Sequence, residues 1–317
     1  MTHAYGLIGP DPVDTRDLQL KLTPLTALPT TPIDLTALLP TVQDQGQLGS
    51  CSSFALDGAI EYVDHASGKA FAAQSHLQLY YNARTRANKG VDSGAVLRDA
   101  IKALSIYGAA SETLWPYDIS KFTVSPPTAA LKAGFQHTAV KYARVPVTPL
   151  SVVTALQAGY PVIAGILVYS SFESAQVAQD GLVPIPDVAN EQKLGGHAVL
   201  IEGYVQTLQG WHFKVRNSWG EGWGDKGYFY LPLEYVNSNL CWDFWTLSAV
   251  SGSPRAKVMM DEVMVQTGLS EDQIFEFIPA LYEILKDFLT GDGSLSPESR
   301  IPIQEGIARF LEEVGLQ

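Results

Sequence analysis

A cysteine, a histidine and an asparagine are each set in surroundings suited to acyl chemistry. Cys51 closes a glycine-punctuated loop, Gln45-Gly46-Gln47-Leu48-Gly49-Ser50, and opens the apolar run Phe54, Ala55, Leu56, Ala59, Ile60, Tyr62, Val63. Apolar residues three and four apart predict an amphipathic helix with Cys51 in its first turn. Unpaired backbone N–H groups and the positive end of the helix dipole favour an anion there, so the thiolate is expected to be stabilised over the thiol. Gln45 lies upstream on the same loop. Its carboxamide N–H and the Cys51 backbone N–H would make a two-donor oxyanion hole, the electrostatic aid acyl transfer needs most. A lone free cysteine is more often a small buried apolar residue, so the case rests on two further stretches.

Gly195-Gly196-His197-Ala198-Val199-Leu200-Ile201 puts a histidine at the head of a strand-like run, and Phe213-Lys214-Val215-Arg216-Asn217-Ser218-Trp219-Gly220 ends another strand in asparagine and tryptophan. In such a set the thiolate attacks a peptide carbonyl. The imidazolium stabilises the thiolate and later protonates the leaving amine. Asn217 would accept a hydrogen bond from the second ring nitrogen, and Trp219 would shield that bond from water, where a low dielectric strengthens it. His3, His65, His76, His137 and His212 have no motif around them and read as surface or core residues.

Cysteine, then histidine, then asparagine is the chain order of the papain-like cysteine peptidases, and the motifs resemble that family locally too. Gln45-Gly46-Gln47-Leu48-Gly49-Ser50-Cys51-Ser52 is similar to the family's Gln-Gly-x-Cys-Gly-Ser-Cys-Trp loop, and the His-Ala-Val and Asn-Ser-Trp-Gly motifs are intact. His197 falls roughly 130–150 residues after the nucleophile, as the family spacing requires, and Asn217 somewhat beyond it. The resemblance covers roughly residues 33–250. It implies an α+β, papain-like two-domain fold and a peptidase that hydrolyses peptide bonds through a thioester acyl-enzyme. Cys51, His197, Asn217 and Gln45 would be its catalytic residues, and a peptide or protein its substrate. Gly90-Val91-Asp92-Ser93-Gly94-Ala95 resembles the family's glycine-rich loop, whose backbone pairs with substrate like an added strand. Ser93, Gly94, Gly196, Ser52 and Trp219 are therefore the expected substrate-binding positions. Two departures stand out. Leu48 replaces a cysteine that the family uses in a disulfide, and Ser52 replaces an aromatic residue that lines one side of the cleft. The rival readings are an acyl transferase or transpeptidase using the same dyad, and a catalytically silent binding protein of the same fold.

The elements that must hold these residues follow from the pattern. Residues 1–40, proline- and threonine-rich, are expected to be an extended arm, either propeptide-like and cleft-covering or a plain strap. Residues 41–145 read as a helical half carrying the nucleophile, with further helices over Ser75–Arg84 and Val96–Leu104 and a stop at Tyr107-Gly108. Residues 146–254 read as a β-barrel-like half with His197 and Asn217, its strands separated by glycine turns. Residues 255–317 read as a C-terminal helical extension, with a capping box at Ser270. That extension is expected to pack on the enzyme body or itself, or to serve as a contact for a partner or second copy.

Composition bounds the rest. At 317 residues, 46% hydrophobic and 17% charged, the chain is an ordinary globular protein with a sizeable core. A net charge of −12 argues against nucleic acid as a partner, since that would need a basic patch. With two cysteines, one the nucleophile, no disulfide is expected. No run approaches the ~18 apolar residues of a membrane span, and the N-terminus lacks a signal peptide's basic start and apolar core. A cytoplasmic location is the default, and export by a non-classical route would look the same. No cofactor is expected. No short cysteine or histidine pairing points to a metal. Gly6-Leu7-Ile8-Gly9 lacks the Gly-Lys-Ser/Thr of a phosphate loop, and Gly291-Asp292-Gly293-Ser294 is too short for a calcium loop.

Overall fold

The computed structural model describes residues 3–15, 17–84 and 88–251, together with Met264 and Ser270. The expectations for a helical extension over 255–317 lie outside these residues.

In chain order the elements are β1 (Leu7–Ile8), β2 (Ile33–Asp34), α1 (Cys51–Ala66), α2 (His76–Ala83), β3 (Ala95–Val96), α3 (Leu97–Tyr107), α4 (Thr128–Gly134), β4 (Thr138–Arg144), α5 (Pro149–Gln157), β5 (Val162–Tyr169), α6 (Ala175–Asp180), β6 (Lys193–Thr207), β7 (Gly210–Arg216), β8 (Tyr228–Pro232), α7 (Leu233–Asn237) and β9 (Cys241–Ser251). The helix boundaries have local causes. Ser75 caps α2 by accepting from Gln78 N, Thr148 caps α5 ahead of Pro149, and Gly108, at φ 64°, ends α3. The architecture is α+β, as expected.

Seven of the strands form one antiparallel sheet in the order β4-β9-β5-β6-β7-β8, with β2 pairing on β6, while β1 and β3 pair in parallel apart from it. β4 lies inside the stretch read as the helical half, yet pairs with β9 in this sheet. β5 reads Val-Ile-Ala-Gly-Ile-Leu-Val-Tyr because both its faces are covered. On one face, Ile163, Ala198, Leu200 and Trp245 pack with α1, α2 and α3. On the other, Val162, Ile166, Val199, Phe213 and Phe229 pack with α5 and α7. α1 is the pivot, buried along most of its length.

The N-terminal arm is extended and wraps this body. Leu18 and Leu20 exchange backbone hydrogen bonds with Arg144 of β4, Leu25 N donates to Thr154 Oγ1 of α5, and Ile33–Asp34 add a strand to β6. Three arm aspartates meet three basic residues of the body. Asp11 Oδ2 lies 2.8 Å from Arg144, Asp17 Oδ2 2.7 Å from Arg144 and 2.5 Å from Arg98, and Asp14 Oδ2 3.7 Å from Lys102. Trp245 Nε1 donates to Asp11, and Asp243 of β9 faces both Asp11 and Arg144. Burial and the neighbouring Asp243 push the Asp11 carboxyl up to about 6, against the pull of Arg98 and Arg144.

Candidate active site

Cys51 is the first residue of α1, and His197 stands on β6 opposite it, while Asn217 follows β7 directly. The antiparallel register that pairs Leu200 with Arg216 brings His197 and Asn217 side by side. His197 Nε2 and Asn217 Oδ1 are 2.7 Å apart, so the ring nitrogen donates to the amide oxygen. His197 Nδ1 has no hydrogen-bond partner. Ala198 N donates to Cys51 Sγ at 3.4 Å. Trp219 stacks near the imidazole, with ring centroids 5.2 Å apart, and its far neighbours Phe172 and Trp223 close an aromatic cluster. The sequence thus brings Cys51, His197, Asn217 and Trp219 to one place.

Gln45 joins them through the loop before α1. Its Nε2 donates to Leu48 O at 2.8 Å, and its Oε1 accepts from Ser218 Oγ. Ser218 therefore sets which end of the carboxamide is the donor. Tyr117 Oη donates to Gln45 O at 2.8 Å and contacts Ser50 Oγ, pinning the same loop from the other side.

The cleft is filled by the arm. His3 stacks on Trp219 at 3.8 Å between centroids, and Tyr5 meets the His197 ring edge-on at 5.9 Å. Gln45 Nε2 reaches Ala4 O at 3.2 Å, so an arm peptide carbonyl sits where the amide would meet a substrate oxygen. Gly6 N–H is among the backbone groups that bond the Cys51 sulfur. Ala95 N donates to Gly6 O at 2.8 Å, and Leu7–Ile8 pair in parallel with Ala95–Val96. Tyr5 and His3 both reach Glu173. The fit allows no side chain at Gly6: a Cβ there would lie 1.7 Å from Gly49 O. A Cβ on Gly94, at φ +73°, would lie 2.1 Å from Gly6 O, and one on Gly196 2.5 Å from Leu7 O. Gly94 and Gly196 thus lie against a peptide, and that peptide is the chain's own. Ser93 precedes this pairing and turns its hydroxyl onto Gly94 O. Ser52 is fully buried, as Cys51 and His197 are, with its hydroxyl unbonded.

The burial changes the electrostatics. Cys51 and His197 are both 0% exposed. Desolvation raises the Cys51 thiol pKa even though backbone N–H groups of Ala198, Gly6, Ser52 and Cys51 pull it down. Burial also pushes His197 down to about 4, helped by His3 and opposed by the bond to Asn217. Both shifts run against the expected stabilised thiolate: burial in the closed site favours the neutral thiol and the neutral imidazole.

Sequence reasoning missed Ser218, which sat inside the quoted Asn-Ser-Trp motif, and it missed the arm's contact residues. Gly6-Leu7-Ile8-Gly9 lies within the arm read as cleft-covering or a plain strap, but nothing in its sequence names the residues it meets. His76, read as a surface or core residue, is buried in the core and bonded to two carboxylates, Asp57 at 3.1 Å and Glu112 at 3.4 Å. Burial lowers its pKa, but those carboxylates outweigh it and hold it at about 9.

Among the described residues no cluster of three or more histidine, cysteine, aspartate or glutamate side chains is arranged to hold a metal ion, and no helix is long and apolar enough to cross a membrane. Cys51 and Cys241 are both free.

Residues 33–242 match the papain family cysteine protease domain. An uncharacterized peptidase C1-like protein of Acanthamoeba polyphaga mimivirus is 37% identical over 219 residues, covering 66% of this chain and 70% of that protein. Human cathepsin L2 is 28% identical over 210 residues, covering 62% of this chain and 58% of its own length. The chain thus spans a little over half of the latter. Among solved structures, xylellain, a cysteine protease from Xylella fastidiosa, superposes with a TM-score of 0.69 at 34% identity, covering 78% of this chain and 96% of that one. A digestive procathepsin L 3 of Tenebrio molitor larval midgut, with TM-score 0.59 at 20% identity over 78% of this chain and 76% of its own, shares the fold.

Proposed function

Because the chain belongs to the papain family of cysteine proteases, we propose that it hydrolyses peptide bonds at Cys51 and that its own N-terminal arm holds it latent. The observation that supports the chemistry is the hydrogen-bonded His197–Asn217 pair facing Cys51 at the start of α1. Once the arm leaves, water re-enters and the proton passes from sulfur to His197. The Cys51 thiolate then attacks the substrate carbonyl, and the Gln45 amide and the Cys51 N–H receive the developing oxyanion. Collapse breaks the C–N bond as His197 protonates the amine. Water, deprotonated by His197, releases the acid from the thioester.

The arm divides into a plug and a clasp. Residues 3–8 fill the cleft; Asp11, Asp14 and Asp17 fasten the arm to Arg144, Lys102 and Arg98. The plug blocks substrate and, by excluding water, suppresses the thiolate–imidazolium pair. Leu7 is buried against Gly165 and Gly196 in a recess that the Trp242 ring also borders. The same recess favours a leucine-sized apolar side chain in a substrate.

The test is the rate of Cys51 alkylation by iodoacetamide across pH, in the native chain, His197→Ala and Gly6→Val. If the arm-free form is a minor population, Gly6→Val, which cannot seat the plug, should raise alkylation and peptide hydrolysis about tenfold or more. Alkylation persisting well below the ~8.5 of a free thiol in Gly6→Val, and lost when His197 is also removed, supports the ion pair. Equal rates in the native chain and Gly6→Val would refute latency. Mass analysis of products distinguishes hydrolysis from transfer to an amine.

A further inference from the structure

The loop before α1 depends on a carboxylate that the mechanism above does not use. Asp92 stands in the turn that leads to β3, the strand on which the arm is paired. Its two oxygens accept from Gly49 N at 3.0 and 3.2 Å. Tyr80 Oη of α2 donates to Asp92 and in turn accepts from Gly94 N at 3.0 Å. The Arg84 guanidinium lies over the Tyr80 ring at 4.4 Å and donates to Val91 O at 2.8 Å, steadying the turn that carries Asp92.

Gly49 N–H belongs to the Leu48–Gly49 peptide, and the other end of that peptide plane is Leu48 O. Leu48 O accepts from Gln45 Nε2 at 2.8 Å and from Ser50 N at 2.7 Å. One rigid plane therefore carries Asp92 on its N–H side and the oxyanion-hole carboxamide on its C=O side. Rotating the plane would take Leu48 O away from Gln45 and leave the carboxamide without its buried acceptor. Residue 48 is a leucine, so no disulfide ties this loop down.

We infer that Asp92 is a positioning residue for peptide hydrolysis: it locks the Leu48–Gly49 plane and so aims the Gln45 amide at the oxyanion. The same carboxylate, through Tyr80 and Gly94 N, holds the hole in register with the strand that pairs with bound peptide. This rests on the reading that Gln45 is an oxyanion donor.

The experiment measures fluorogenic peptide hydrolysis by the full chain, per site counted by iodoacetamide incorporation at Cys51, so that only folded, open molecules enter the rate. Native protein, Asp92→Ala, Asp92→Asn, Gln45→Ala and the Gln45→Ala/Asp92→Ala double variant are compared. Losing an oxyanion donor costs about 10²–10³ in kcat, so Asp92→Ala should cost a share of that, about tenfold, in kcat with KM little changed. Asp92→Asn, whose amide oxygen still accepts from Gly49 N, should recover most of it. In the Gln45→Ala background Asp92→Ala should cost nothing more. Alkylation of the open site, which forms no oxyanion, should be the same in all five. Should Asp92→Ala not fold, Tyr80→Phe removes only the hydroxyl bonded to the carboxylate and carries the same non-additivity test at smaller amplitude. A neutral Gln45→Ala would overturn the oxyanion reading and this inference with it. A costly Gln45→Ala with a neutral or fully additive Asp92→Ala would overturn the inference alone.

Discussion

His76 and His197 are both fully buried, yet the protein drives them in opposite directions. His76 is held at about 9 and His197 pushed to about 4. Desolvation acts downward on each, so burial is not the difference. The partners are. His76 faces Asp57 and Glu112, two carboxylates that gain from its charge, whereas His197 is bonded to the neutral amide of Asn217. An ion pair as tight as that around His76 fixes a charge for good and welds α2 to α1. A catalytic histidine must change charge twice per turnover, and an amide orients it without committing it. The family's choice of asparagine at the Asn217 position has this physical content.

The largest effect that would break the comparison is a crossed deletion. His197→Ala should lower kcat/KM by about 10⁴ with little loss of fold, since a general acid–base is gone and no buried charge is stranded. His76→Ala should do the reverse. It leaves Asp57 buried without its partner and should destabilise the chain by about 3–5 kcal/mol, while activity per folded molecule stays within about twofold. Denaturant melts and kinetics on both variants decide this. An inactive but stable His76→Ala would mean that His76 serves the chemistry after all.

A smaller effect sharpens the comparison. Asn217→Asp gives His197 the kind of partner His76 has, and an opposite charge at that distance should raise its pKa by about 1–3. Ring ¹⁵N shifts followed across pH would show it. An unchanged titration would mean that desolvation under the arm, rather than the neutrality of the partner, sets the value for His197.

How far the sequence disclosed these two sites follows the same line. Cys51, His197 and Asn217 were legible because short motifs and apolar periodicity mark each of them: Cys51 opens α1, Asn217 follows β7, and His197 heads the apolar part of β6. β5 was legible as an unbroken apolar run, and α3 by its Gly108 stop. The ion pairing of His76 was not, because its partners come from α1 and from the loop after α3, far from it in the chain. The sign of the Cys51 shift was mispredicted for a related reason. Helix-end electrostatics favours the thiolate, but residues 3–8 decide the solvent around the sulfur, and nothing periodic marks that stretch as a plug. β4 fell on the wrong side of the expected boundary because its partner, β9, lies at the far end of the domain. Contacts between distant segments of chain leave little local trace.

The smallest expected effect concerns pH. His76 has a raised pKa, so its stabilisation is complete below about 6.5 and is lost as pH rises toward about 9. His197 has a lowered pKa, so the unfolded chain binds its proton first; its contribution is complete above about 6.5 and is lost as pH falls toward about 4. The buried Glu61 and Glu202, both pushed up to about 8 by burial, also weaken the fold as pH rises, between about 4.5 and 8. The raw melting curve therefore mixes several groups, and the difference between native and variant curves is the informative quantity. Histidine-to-glutamine changes are milder than alanine and suit it. His76→Gln should flatten the alkaline limb, His197→Gln the acid limb, each by a few degrees, because about 1 kcal/mol moves the midpoint ~2–4 °C in chains of this size. Gly6→Val should flatten the acid limb as well, since without the plug His197 is hydrated and titrates near its ordinary value. If Gly6→Val leaves that limb as steep as in the native chain, the low pKa of His197 belongs to the enzyme body and the arm does not control the charge state of the site.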